Sequence, residues 1–118
     1  MGFWRKEVIE PMLDAGMREA IAEQVSWIAR EPENARPYYH LAQLYRTQAR
    51  QEEALGLLLE AVRLDESYAE AHISLAEIYC VRNDAEAAWR HARVAAAGGN
   101  SNAVALLERH GVVDPSLR

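Results

Sequence analysis

Apolar side chains recur at three- and four-residue spacing through most of the chain, the period of a helix that buries one face. Between residues 35 and 48 they fall at Tyr38, Leu41, Ala42 and Tyr45, and between 69 and 82 the same places hold His72, Leu75, Ala76 and Tyr79. A second set follows each: Ala54, Leu55, Leu58, Ala61 and Val62, then Ala88, Trp89, Ala92 and Ala95. The breaks are also legible. Asn34 caps a helix with Pro37 in its first turn, where a missing N–H costs little. Ser67 and Glu70 have capping-box spacing, Asn83-Asp84 supplies a turn and a cap, and Gly98-Gly99 stops the next helix. The pattern predicts helices over 35–48, 51–64, 69–82, 85–97 and 102–110. Short connections make successive helices antiparallel.

The pattern repeats. Residues 35–68 laid over 69–102, an offset of 34, pair Ala35 with Ala69, Leu41 with Leu75, Ala42 with Ala76, Tyr45 with Tyr79, Glu52 with Glu86, Ala54 with Ala88, Ala61 with Ala95 and Ser67 with Ser101. The unit resembles the tetratricopeptide repeat, a helix-turn-helix with an aromatic, Leu, a small residue and Tyr on its first helix and Ala, a large apolar residue and Ala on its second. The first unit supplies Tyr38, Leu41, Ala42, Tyr45, Ala54, Leu58 and Ala61. The second supplies Leu75, Ala76, Tyr79, Ala88 and Ala95, and departs at His72, Ala92 and Asn100. The resemblance implies an all-α, right-handed superhelical stack of hairpins with a C-terminal cap helix. Small residues where helices cross would resist enlargement, at about 1–3 kcal/mol each.

The ends are less regular. One domain is expected, with an N-terminal arm and degenerate repeat over 1–34, units at 35–68 and 69–102, and a cap helix and tail over 103–118. Asp14 to Glu31 reads as a helix, with Phe3 to Met12 a short helix or arm; alternatively both lie in one longer helix, along a stripe of Leu13, Met17, Ile21, Val25 and Ile28. Residues 19–34 resemble the second half of another unit, with Ala20 and Pro32 in phase, but Gln24 and Trp27 do not fit it. Phe3, Trp4 and Trp27 are expected to be buried as the arm folds back, or else to mediate association through the incomplete end.

Composition agrees with helix: 21 Ala stand against 14 β-branched residues among 118. The net charge of −5 argues against nucleic acid and anionic membrane as partners. A lone Cys80 leaves no intrachain disulfide, and no signal-like apolar run opens the chain, so a cytoplasmic protein is expected.

No phosphate loop, nucleophile elbow or zinc-protease motif is present, and the adjacent glutamates at 31, 33, 52 and 53 read as solvated faces. His40, His72, His91 and His110 lack metal-ligand spacing and read as ordinary surface or groove residues; no metal, cofactor or enzymatic activity is expected. Cys80 has no activating neighbour in sequence. The resemblance instead implies an adaptor that binds a protein or peptide on the concave face formed by first helices. Carried over, that face shows Arg36, Tyr39, His40, Gln43, Arg46 and Thr47 from one unit and Glu70, Ile73, Ser74, Glu77 and Cys80 from the next. Its first unit is basic and aromatic and its second acidic, which suits a ligand with an acidic end, an apolar centre and a basic end. The carboxylate clamp of some family members is missing, since Tyr39, Gln43, Ile73 and Glu77 hold its positions. The alternative is a self-associating assembly subunit, a homodimer formed through the N-terminal arm.

Overall fold

In the computed structural model the backbone is described for residues 6–117 and side chains for 14–117. Six helices follow in order: α1 (Lys6–Arg30), α2 (Ala35–Thr47), α3 (Gln51–Leu64), α4 (Ala69–Val81), α5 (Ala85–Ala97) and α6 (Asn102–Arg109), then a 3-10 turn at Pro115–Leu117. The five helices expected after residue 34 all form, with ends displaced by one residue at most. Helices α2 and α3 make one antiparallel hairpin and α4 and α5 the next. The contacts run in sequence, α1 on α2, α3 on α4 and α5 on α6, as in a helical-repeat solenoid.

The alanines explain the close approach. Ala42, Ala54, Ala61, Ala76, Ala88, Ala92 and Ala95 have no exposed surface, so neighbouring backbones meet over methyl groups. Leu58 and Leu75 fill the core of the first hairpin and its junction with α4, while Trp89, Ala103 and Leu107 close the second against α6. Tyr79 touches both clusters and joins them into one continuous core.

Each hairpin turns the same way. Ala49 and Asn83, 34 residues apart, both have left-handed backbone (φ 59° and 60°). The next amide then reaches back to the unit's tyrosine: Arg50 N–H donates to Tyr45 O and Asp84 N–H to Tyr79 O, each at 2.9 Å. Asn34 and Asp84 cap as expected, accepting from the amides of Arg36 and Ala87. One expected cap is replaced. Ser67 makes no capping box, because its amide and hydroxyl both turn to Asp65 Oδ1, and Tyr68 stands at the N-cap of α4. At α6 Ser101 holds the N-cap position, while the Asn102 amide is accepted by the Asn100 side chain. Short acidic and amide side chains close such local turns as readily as a hydroxyl does.

Of the alternatives for the start of the chain, the continuous helix is the one formed. At about 1.5 Å per residue its 25 residues reach about 37 Å, nearly twice the span of the 13-residue α2 beside it. Its apolar stripe is incompletely covered: Ile21 and Ile28 are half-buried, and Val25 is 49% exposed. Trp27 is half-buried, with its ring stacked near His40 at 6.3 Å. Phe3 and Trp4 lie outside the described residues.

Candidate interaction face

Helices α2, α4 and α6 are the first-type helices of the array, and α4 packs directly on α6. Across α2 and α4 the expected face residues are tied into a polar ladder. Arg46 Nη1 donates to Glu77 Oε1 at 3.2 Å and reaches Gln43 Oε1 at 3.5 Å, and the Ser74 hydroxyl donates to the same Gln43 oxygen at 3.3 Å. The basic character of the first unit and the acidic character of the second are thus partly spent on each other. Arg46 and Glu77 keep 25% and 40% of their side-chain surface, so the pair is a surface bridge with a modest effect on stability.

Beside the ladder lies an aromatic strip. Tyr39 packs against Tyr68 at 5.2 Å and sets its edge against His40 at 5.4 Å. Half-burial, then the Glu70 carboxylate, push both the Tyr39 and Tyr68 hydroxyls above the ordinary phenol range, with the Ser74 hydroxyl partly offsetting this at Tyr39. Both hydroxyls are neutral near pH 7 and available as hydrogen-bond donors. Arg36 and Glu70 are exposed and near enough for their charges to act on Tyr68, and Ile73 is half-buried. Among the expected residues, Tyr39, Gln43, Arg46, Glu70 and Glu77 are brought together, and the His40 ring links Tyr39 to Trp27 of α1.

A cavity of about 600 Å³ adjoins the ladder at the C-terminal end of α4, lined by Arg46, Glu77, Cys80, Val81, Leu106 and Val112 among others. Its α6 wall was not foreseen from the cap-helix reading. The signal was present: Ala103, 34 residues after Ala69, is buried where a third first-type helix would begin. Arg82, also on this cavity, is bridged to Glu52 of α3.

The histidines require a correction. His72 and His91, expected at the surface or in the groove, are both buried, and their Nδ1 atoms lie 2.9 Å apart. Nineteen positions separate them, a spacing that points to contact only once α4 and α5 are folded onto each other. Among the described residues no three His, Cys, Asp or Glu side chains converge as a metal site requires. No described helix is long and apolar enough to cross a membrane.

No family model matches the chain. Over 73 residues it is 42% identical to a TPR repeat-containing thioredoxin of Arabidopsis thaliana, a match covering 62% of this chain and 11% of that protein. The chain thus spans about a tenth of its relative's length. Paired helical hairpins in a 34-residue register, with fully buried alanines at equivalent positions, make the chain a helical-repeat solenoid similar to tetratricopeptide-repeat proteins.

Proposed function

We propose that the chain is a non-catalytic protein-interaction module that holds a peptide or protein segment across the α2, α4 and α6 face, the concave face of such arrays. Residues 35–68 and 69–102 are its complete units and 103–118 its cap. The observation that carries the reading is the aromatic strip of Tyr39 and Tyr68 with exposed Arg36 and Glu70 near it, continuous through Arg46 and Glu77 with the cavity beside α6. Neutral tyrosines offer apolar area together with a hydrogen-bond donor, the composition of interface anchors. Since Arg46 and Glu77 are already paired, Arg36 and Glu70 supply the charges that orient a ligand, its acidic part toward Arg36 and its basic part toward Glu70. A single cysteine accords with a reducing compartment such as the cytoplasm. Affinity capture with quantitative mass spectrometry tests this: Arg36→Glu with Tyr39→Ala loses the partners that the parent retains. Unchanged capture by a variant of unchanged helicity contradicts it.

The second reading, self-association through α1, is supported by the exposure of Val25 and by Gln24 Oε1, which is buried without a hydrogen-bond partner. Sedimentation across concentration decides it: a dimer weakened by Val25→Asp supports it, and a monomer throughout excludes it.

A further inference from the structure

The second hairpin contains a buried polar pair that the first does not. In the first, the Tyr38 hydroxyl donates to the Pro32 carbonyl at 2.9 Å. Thirty-four residues on, His72 replaces that tyrosine and its Nε2 lies 2.8 Å from the Glu66 carbonyl, the equivalent acceptor. A carbonyl only accepts, so His72 carries its proton on Nε2, and its neutral Nδ1 is left as a bare acceptor. His91 stands where the first hairpin has Leu57, and its Nδ1 meets that acceptor at 2.9 Å, so the proton between them belongs to His91. Both tautomers follow from one backbone carbonyl. The two rings lie 5.2 Å apart, and the His91 ring stacks on Tyr79 at 5.7 Å with a tilt of 4°.

We propose that His72 and His91 form an acid-labile clasp between α4 and α5: a neutral imidazole pair with fixed tautomers that holds the second hairpin closed and releases it when the pair takes up a proton. A proton placed on His72 Nδ1 sets N–H against N–H unless His91 moves its own proton to Nε2, and in either case the pair becomes a buried cation. One placed on His91 Nε2 creates a buried cation.

The surroundings give that charge no counter-ion. On α4 the neighbour is the face of the Tyr79 ring, which attracts a cation only weakly, and on α5 it is Arg90, itself cationic. The α3–α4 turn offers the Glu66 carbonyl to His72. Glu60 and Arg63 of α3 bridge each other, and Glu108 and Arg109 of α6 and His110 just after it are exposed. Among the described residues no carboxylate pairs with either imidazole. Burial first, then His72 and Arg90, lower the His91 pKa from 6.5 to about 4. The unfolded chain therefore binds a proton that the folded hairpin refuses. The stabilisation is complete above pH 6.5 and is lost as pH falls toward 4.

The test uses the full chain and needs no partner. Nitrogen-15 NMR of the imidazoles at neutral pH is expected to show His72 protonated at Nε2 and His91 at Nδ1, with His91 still neutral well below pH 6.5. Amide protection in α4 and α5 is expected to fall by up to roughly tenfold per pH unit below that point. The double variant His72→Tyr with His91→Leu transplants the first hairpin's pair into the second, and this acid-dependent component should disappear. A His91 that titrates near 6.5, the opposite tautomer on His72, or an acid profile unchanged in the double variant overturns the proposal. If the double variant does not fold, the tautomers and titration of the unaltered protein decide alone.

Discussion

Tyr38 and His72 occupy the same place in successive hairpins, and each reaches the carbonyl six positions upstream, Pro32 at 2.9 Å and Glu66 at 2.8 Å. The bond ties the first helix of a unit to the turn before it, so it belongs to the repeat's architecture. Tyr38→Phe removes the donor and leaves the ring. It is expected to destabilise the chain by about 0.5–1.5 kcal/mol in urea unfolding, without changing helicity. A larger loss would mean that the ring itself had shifted.

The crossings between helices depend on size in both directions. Leu75→Ala is expected to cost about 2–5 kcal/mol, because Leu75 has no exposed surface and its neighbours are fixed on two helices. Ala88→Leu, at an alanine with no exposed surface in the second core cluster, should cost about 1–3 kcal/mol by overpacking. Denaturant midpoints of the two variants check both, and a tolerated Ala88→Leu would refute the close crossing.

Backbone conformation gives an opposite expectation. Ala49 carries a φ of 59°, which disfavours any side chain with a Cβ, so Ala49→Gly should raise stability by up to about 1 kcal/mol. Gly56, exposed in the middle of α3 with open space around it, should gain about 0.5–1 kcal/mol on replacement by Ala. Thermal melts of both variants, singly and combined, are the check.

The Arg46–Glu77 bridge is expected to align α2 and α4 more than to stabilise them. A double-mutant cycle with Arg46→Gln and Glu77→Gln should give a coupling below about 1 kcal/mol that shrinks in high salt. Coupling well above that value would mark the ladder as a desolvated structural element instead of a solvated face.

Helix ranges after residue 34 were legible because the buried positions recur at helical spacing and then again 34 residues later, two periods that reinforce each other. Caps were legible where a side chain faces a single amide, at Asn34 and Asp84, and misread at Ser67, whose amide and hydroxyl are both taken by Asp65 two positions upstream. The start was ambiguous because Asp14-Ala15-Gly16 neither continues nor breaks a helix decisively in sequence. Face residues could be placed by register, but the mutual neutralisation of Arg46 and Glu77 depends on side-chain reach between helices, which register does not specify. The histidine pair was missed for a similar reason. Each looked like an isolated polar substitution, and only the carbonyl of Glu66 and the fold of α5 onto α4 make them one unit.

The central claim, that a partner lies across α2, α4 and α6, is tested most directly by site-specific photocrosslinking with the full chain. A photoreactive residue in place of Ile73, on that face, is compared with one in place of Leu59, exposed on α3 in the opposite layer. The account predicts partner adducts from position 73 that are lost when Arg36→Glu and Tyr39→Ala are introduced. Adducts arising from position 59 and not from 73 would contradict it.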